Sequence, residues 1–322
     1  MTTTPSLLNT NLDLLPQSFT RTDGLELALA RTAAGLRLAV LGPLHRLTGF
    51  SGQAGEAAAE QSLLIGNLDS HNLDTLRKLL PWLNPRPLGL RTSAGMGDRI
   101  GLATPGHIRA VRATGEQIAP IFTQQSIREM KRTNRNARQV MEDALWGVFT
   151  EGWQGGFGAD ADHLKTPADI DTCLEAGYTF FTIDPGEYVN NAAERANLAE
   201  LHTLCAALPE EMAPTASGLL GKTLTFEDLR VEFSELVLFK AAVKYGAAVW
   251  HVSRMYQYLA QNAAGRAFEL EVSVDETDQP TSPAEHAYIA SELTRLGVRW
   301  VSLAPRFIGA FEKGVDYIGD LS

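Results

Sequence analysis

This sequence predicts an α/β fold: a parallel sheet closed as a (β/α)8 barrel, preceded by a small N-terminal β-containing extension. Three observations support that reading. From residue 86 onward, short apolar runs alternate with helical patterns, the grammar of βαβ units. Several of those runs lead straight into polar residues, as in a barrel whose chemistry sits at the C-terminal ends of its strands. Before Pro85-Arg86-Pro87 the pattern is different. Residues 25–40 are short and β-like, with Leu36-Arg37-Leu38-Ala39-Val40 alternating, and Gly, Ser and Ala dominate the stretch that follows. The expected organisation is therefore an extension over 1–85 and a (β/α) barrel over 86–322.

Within the barrel, strands are expected at 88–90, 118–122, 156–159, 180–183, 268–272 and 298–303, with helices at 104–113, 137–150, 167–176 and 283–296. Residues 226–260 read as mostly helical and amphipathic, with Leu229, Phe233, Leu236 and Val237 on one stripe. About six or seven strands can be read rather than eight, so the barrel is expected to lack its last units unless an early segment supplies them. Segments 93–99, 123–126, 160–165, 184–191, 273–276 and 305–306 should converge on the face that carries chemistry.

A chain that is 44% hydrophobic and 20% charged has enough apolar residues for a substantial core. Its net charge of −10 opposes attraction to nucleic acid or an anionic membrane except through a local patch. The one candidate patch, Arg128, Lys131, Arg132, Arg135 and Arg138, has spacings of three and four that suit a solvated helix face, and it lacks aromatic platforms for bases. Cys173 and Cys205 fall in helical, apolar contexts, which argues against a disulfide framework or a thiolate metal site. Reduced thiols, no leader and no apolar run near the roughly 18 residues of a membrane span make a cytoplasmic, unexported protein the expectation. The oligomeric state is left open, a homo-oligomer included.

The densest polar stretch is Gly155-Gly156-Phe157-Gly158-Ala159-Asp160-Ala161-Asp162-His163-Leu164-Lys165-Thr166. A helix start at Pro167 puts its polar part in a β-to-α loop. A neutral imidazole suits a first-row divalent metal, and a neighbouring carboxylate can bind the metal or take a proton, so Asp162-His163 is the sharpest pair. An ordinary hydrogen-bonded loop histidine is the alternative, since a catalytic metal usually needs three protein ligands. Lys165 either meets a substrate carboxylate as a point charge or neutralises Asp160, Asp162 and Asp184. Asp184 ends a buried strand before Pro185-Gly186, where it serves either a site or the turn itself. Along Phe268-Glu269-Leu270-Glu271-Val272-Ser273, period two puts Glu269, Glu271 and Ser273 on one face, either lining a barrel or exposed at an edge. Glu271 is the better candidate of the two acids, being nearer the strand's C-terminal end. In Ser93-Ala94-Gly95-Met96-Gly97-Asp98-Arg99-Ile100-Gly101 the third glycine falls one place late for a dinucleotide loop. The loop's backbone amides could still receive an anion, with Arg99 beside them. His251 and His286 lie in helical patterns and read as structural.

Taken together, Thr92-Ser93-Ala94-Gly95-Met96-Gly97-Asp98-Arg99, Gly158-Ala159-Asp160-Ala161-Asp162-His163-Leu164-Lys165, Phe181-Thr182-Ile183-Asp184-Pro185 and Leu303-Ala304-Pro305-Arg306-Phe307 resemble the bacterial tagaturonate epimerase family, from about residue 88 to 322. The resemblance implies a TIM-like barrel and metal-dependent interconversion of tagaturonate and fructuronate in hexuronate catabolism. It also implies Asp162 as proton acceptor, His163 as metal ligand and Glu271 as proton donor. Family members are usually longer and carry further histidines, one in a His-Ser-Gly-Ser stretch that this sequence lacks. The expected cofactor is a divalent cation (Mn, Ni, Co, Fe or Zn), and the expected partner a small ketouronate whose carboxylate Lys165 and Arg306 would hold. Rival readings are another metal-dependent sugar isomerase or class II aldolase, or a catalytically silent sugar-acid-binding barrel.

Overall fold

The computed structural model describes residues 6–57, 60–114, 117–309, 316, 318 and 319. Two compact units divide the chain, one of Met1–Asp160 with Cys173–Thr179, the other of Ala161–Thr172 with Phe180–Ser322.

The first unit opens with an antiparallel sheet of β1 (Asp13–Leu14), β2 (Thr20–Thr22), β3 (Leu25–Thr32), β4 (Gly35–Pro43), β5 (Gln53–Glu56) and β6 (Gln61–Gly66), ordered β1-β3-β4-β6-β5 with β2 on β3. The β-like reading of 36–40 holds, because Leu38, Ala39, Val40 and Leu41 all lie on buried β4. Helix α1 (Ser70–Leu79) starts where Asp69 accepts from the Asn72 amide, and it buries Leu73 and Leu76. Beyond it come β7 (Ser93–Gly95), α2 (Thr104–Thr114), β8 (Ala119–Ser126), α3 (Ile127–Arg132) and α4 (Ala137–Glu151). β7 runs parallel to β8. A reciprocal Asn136–Gln139 capping box opens α4. The helix ends on Gly152 at φ +57, where a Cβ would lie 2.2 Å from the Gln17 carbonyl oxygen, so both conformation and space call for glycine.

Strand β9 (Gly158–Leu164) begins in the first unit and ends in the second. The second unit adds α5 (Pro167–Ala176, partly in the first), β10 (Phe180–Ile183), α6 (Leu198–Cys205), β11 (Thr223–Phe226), β12 (Leu229–Glu232), α7 (Glu235–Asn262), β13 (Glu269–Ser273), α8 (Pro283–Arg295) and β14 (Ser302–Ala304). β10, β13 and β14 are mutually parallel, with Thr182 opposite Glu271 and Glu271 opposite Ser302. The architecture is thus mixed α/β, with two six-stranded sheets and one two-stranded sheet among the described residues.

Four sequence expectations are corrected. Residues 88–90 form a turn rather than a strand, because Gly89 takes φ +68, and the pairing segment is Ser93–Gly95. Of 298–303 only the end pairs as a strand, since the Val298 amide bonds back to the Leu293 carbonyl at the end of α8. Residues 223–232 are a hairpin turned by Glu227 at φ +52, and Ser234 caps α7, so Leu229 and Phe233 lie off the helix and Leu236 is exposed. The basic cluster is not one helix face: α3 ends at Arg132, and Arg132, Arg135 and Arg138 pair with Glu129, Asp143, and Asp74 with Glu142.

One buried charge constrains the second unit. Lys244 of α7 has a fully buried side chain, bonded to Glu194 at 2.5 Å and Glu285 at 3.1 Å, while Lys240 also reaches Glu194 at 2.7 Å. Removing the ammonium leaves Glu285 buried without its cation, so Lys244→Met is expected to lower unfolding free energy by about 3 kcal/mol in urea denaturation. Burial alone would raise the Glu194 carboxyl, but hydrogen bonds from Lys240 and Lys244 outweigh it and hold the group below its ordinary value. A depressed carboxyl stabilises the fold above its unfolded pKa and loses that contribution as pH falls through the folded one. Glu194→Gln should therefore flatten the loss of stability with acidification below about pH 5, read by thermal melts across pH.

Candidate active site

Strand β9 carries the pair singled out in the sequence, and it carries it on the strand itself. The expectation of a loop at 160–165 fails: Asp160, Asp162 and His163 all lie within Gly158–Leu164, and only Lys165 follows it. Asp, Gly and Ala are poor strand formers, yet neighbouring strands supply the missing drive. The Thr179 amide bonds to the Ala159 carbonyl, and the Asp184 amide to the Leu164 carbonyl at 3.0 Å. Residues 123–126, also expected as loop, likewise extend β8.

Ala159 and Ala161 are fully buried, so period two turns Asp162 to the opposite face. The same period would send His163 in with the alanines. A left-handed backbone at His163, φ +56, breaks the alternation, a conformation that costs a non-glycine residue about 1–3 kcal/mol. Its ring instead lies against Asp162, Nδ1 to Oδ1 at 2.7 Å, with Nε2 facing Asp275 Oδ1 at 3.8 Å. Flanked by two carboxylates, the imidazole is pushed up to about 11, Asp162 contributing most. Asp275 is held below its ordinary value by His163, and the Ser273 hydroxyl donates to the same Asp275 oxygen.

Glu271 stands beside this pair on β13. Glu269 and Ser273 of the same face are buried, which removes the reading of an exposed edge. Burial raises the Glu271 carboxyl; the charges of Asp162 and Asp275 add to the rise, while a hydrogen bond from Ser302 and the His163 charge oppose it. Arg306 reaches the same loop, its guanidinium 3.5 Å from the Asp275 carbonyl and its backbone amide on Thr281.

A second group forms around Lys165, whose ammonium lies 3.3 Å from Asp184 and 3.5 Å from Glu187. Burial works against the ammonium, but the two carboxylates outweigh it and raise its pKa. Asp184 serves the turn, where Oδ1 accepts from the Gly186 amide at 2.8 Å, while Oδ2 faces Lys165. His251 also belongs to this group. Its half-buried imidazole stacks on Tyr188 at 4.1 Å and is kept below its ordinary pKa chiefly by burial. Nothing in a helical pattern marks that role, which depends on what α7 packs against.

The remaining candidates lie in the first unit. Asp160 is buried and accepts from Gln124 at 2.9 Å, an approach that Gly95 permits, since a Cβ there would meet the Gln124 amide at 2.3 Å. Arg99 pairs with Glu129 at 3.0 Å. In its loop the amides of Ile100, Gly101 and Ala103 already bond to the Asp98 carboxylate, so the anion they receive is the chain's own.

For a divalent cation, the residues fit in part. His163 and Asp275 supply a nitrogen and an oxygen donor that face each other, Nε2 to Oδ1 at 3.8 Å, with Asp162 on the other ring nitrogen. Among the described residues no group of three or more His, Cys, Asp or Glu side chains is arranged to hold a metal ion.

A family model described as tagaturonate epimerase (UxaE) matches residues 15–322. The tagaturonate/fructuronate epimerase of Thermotoga maritima is 41% identical over 312 residues, covering 96% of this chain and 63% of that protein. The native crystal structure of fructuronate-tagaturonate epimerase UxaE from Cohnella laeviribosi superposes with a TM-score of 0.88 at 35% identity, covering 98% of this chain and 63% of that one. Its complex with one glycerol gives 0.87, covering 96% and 62%. The chain therefore spans less than two thirds of the length of these relatives. With Asp162, His163, Glu271 and Arg306 in one unit and a family match running almost the whole length, this chain belongs to the tagaturonate epimerase family.

Proposed function

We propose that this chain carries the acid–base centre of a tagaturonate/fructuronate epimerase, on a sheet that forms part of a TIM-like (β/α)8 barrel with residues 1–85 as its extension. The observation that carries the proposal is the company Glu271 keeps: a carboxyl biased toward its protonated form stands close to the Asp162–His163 pair. A carboxyl whose pKa burial raises, near a carboxylate paired to an imidazole, suits a reaction that moves a proton at each of two substrate faces.

The two ketouronates differ at the carbon β to the ketone, whose C–H bond simple enolisation does not acidify. Asp162 removes the proton of the hydroxyl on that carbon. The O–H electrons form an aldehyde carbonyl, and the adjacent C–C bond breaks with its electron pair moving into an enediolate. The aldehyde rotates, the enediolate carbon re-adds to its other face, and Glu271 supplies the proton to the new alkoxide. Lys165 and Arg306 hold the substrate carboxylate, with Asp184 keeping Lys165 in place. A divalent cation held by His163 and Asp275 would supply Lewis-acid polarisation of the substrate oxygens.

The test is conversion of fructuronate by the purified chain, followed by NMR after chelation and then with single divalent metals added back. Metal should restore conversion, and Asp162→Asn and Glu271→Gln should each lower kcat by about 100-fold or more; a folded chain that converts nothing with any metal would sink the reading. In D2O the product should keep the original hydrogen on the inverted carbon. Deuterium at that carbon would reject C–C cleavage in favour of direct proton transfer.

A further inference from the structure

Beyond the end of β14, Arg306 is held by a segment that leaves β13 and returns to the same chain segment. The Val274 amide bonds to the Ala304 carbonyl and the Thr281 amide to the Arg306 carbonyl, both at 2.8 Å. Between these two rungs residues 275–280 loop out, tied together where the Thr277 hydroxyl bonds to the Val274 and Gln279 carbonyls. Any residue but proline could make the rung at 281, since it uses only the backbone. Thr281 adds a second bond: its Oγ1 accepts from the Arg306 amide at 3.0 Å, so both backbone polar groups of Arg306 are bonded to one residue. The same hydroxyl lies 3.3 Å from that of Tyr245, a fully buried side chain of α7. A hydroxyl has one proton and two lone pairs, so Thr281 can serve Arg306 and Tyr245 together.

The tip of Arg306 is guided as well. Its guanidinium donates to the Asp275 carbonyl at 3.5 Å, and Asp275 is the residue whose carboxylate faces His163. A neutral carbonyl takes one of the five guanidinium N–H donors and none of the charge, which leaves a planar fork matched to a carboxylate. We propose that Thr281 is a positioning residue: its hydroxyl, backed by Tyr245, locks the backbone of Arg306 so that the guanidinium stands beside Asp275 and there receives the carboxylate of a sugar acid. The proposal rests on the reading of Arg306 as a group that holds that carboxylate.

Calorimetric titration of the full chain with D-gluconate and D-glucitol, non-reacting ligands that differ by the carboxylate, tests it. Wild type should prefer gluconate, and Arg306→Met should cut the preference by about tenfold, the worth of one charge-assisted hydrogen bond. Thr281→Val, which keeps the shape and the backbone rung but not the hydroxyl, should remove most of the same tenfold with glucitol affinity unchanged, and Thr281→Ser should restore it. In the Arg306→Met background Thr281→Val should have no further effect, because its action passes through Arg306. Thermal melts identify a variant that has not folded, and Thr281→Ala then takes the place of Thr281→Val. A preference unchanged in Thr281→Val, a loss shared equally by the two ligands, or a further loss in the Arg306→Met background overturns the positioning role while Arg306 keeps its own. If wild type shows no preference, or Arg306→Met retains all of it, the assignment of Arg306 falls and the proposal with it.

Discussion

Strand β13 buries Leu270 and Val272 only by turning Glu269, Glu271 and Ser273 to the opposite face, and β9 does the same with Ala159 and Ala161 against Asp162. Much of the candidate site follows from this period-two constraint. Parallel pairing sets the heights of those faces, bringing Thr182 level with Glu271 and Glu271 level with Ser302. A register shift of one residue would exchange the acids for the leucine and valine, so core packing and placement of the carboxylates are one requirement.

An acidic chain has carboxylates to spare, and the second unit uses them in pairs. His163 lies between Asp162 and Asp275, Lys165 between Asp184 and Glu187, and Lys244 between Glu194 and Glu285. Two acids per cation offset the desolvation that would otherwise drive a buried ammonium or imidazolium toward neutrality. The consequences differ with exposure. Lys244 has no access to solvent and is structural, whereas Lys165 and His163 keep part of their surface exposed.

His163 is the point where the strand rule is broken, and it is the residue the sequence singled out as a metal ligand. A left-handed turn of one residue takes the ring out of the alanine face and sets it against Asp162. A histidine tolerates that conformation better than a β-branched residue would, but its presence at the end of a regular strand is the kind of local exception that functional residues make.

Periodicity and punctuation in the sequence were enough to place β10 at 180–183 and α5 at 167–176, and to read residues 36–40 as β-like, because those signals are local. The motifs around Asp162 and Arg306 were enough to indicate the family, and alternation alone put Glu271 and Ser273 on one face. What only the tertiary structure decided depended on partners distant in the chain. The weak strand formers of 158–164 extend because β10 pairs with them, and residues 223–232 fold back as a hairpin rather than joining α7. The roles of Asp275 and His251 were equally out of reach. One is defined by facing His163 and the other by the Tyr188 ring, and an imidazole on a helix carries no trace in its own neighbours of what the helix will pack against.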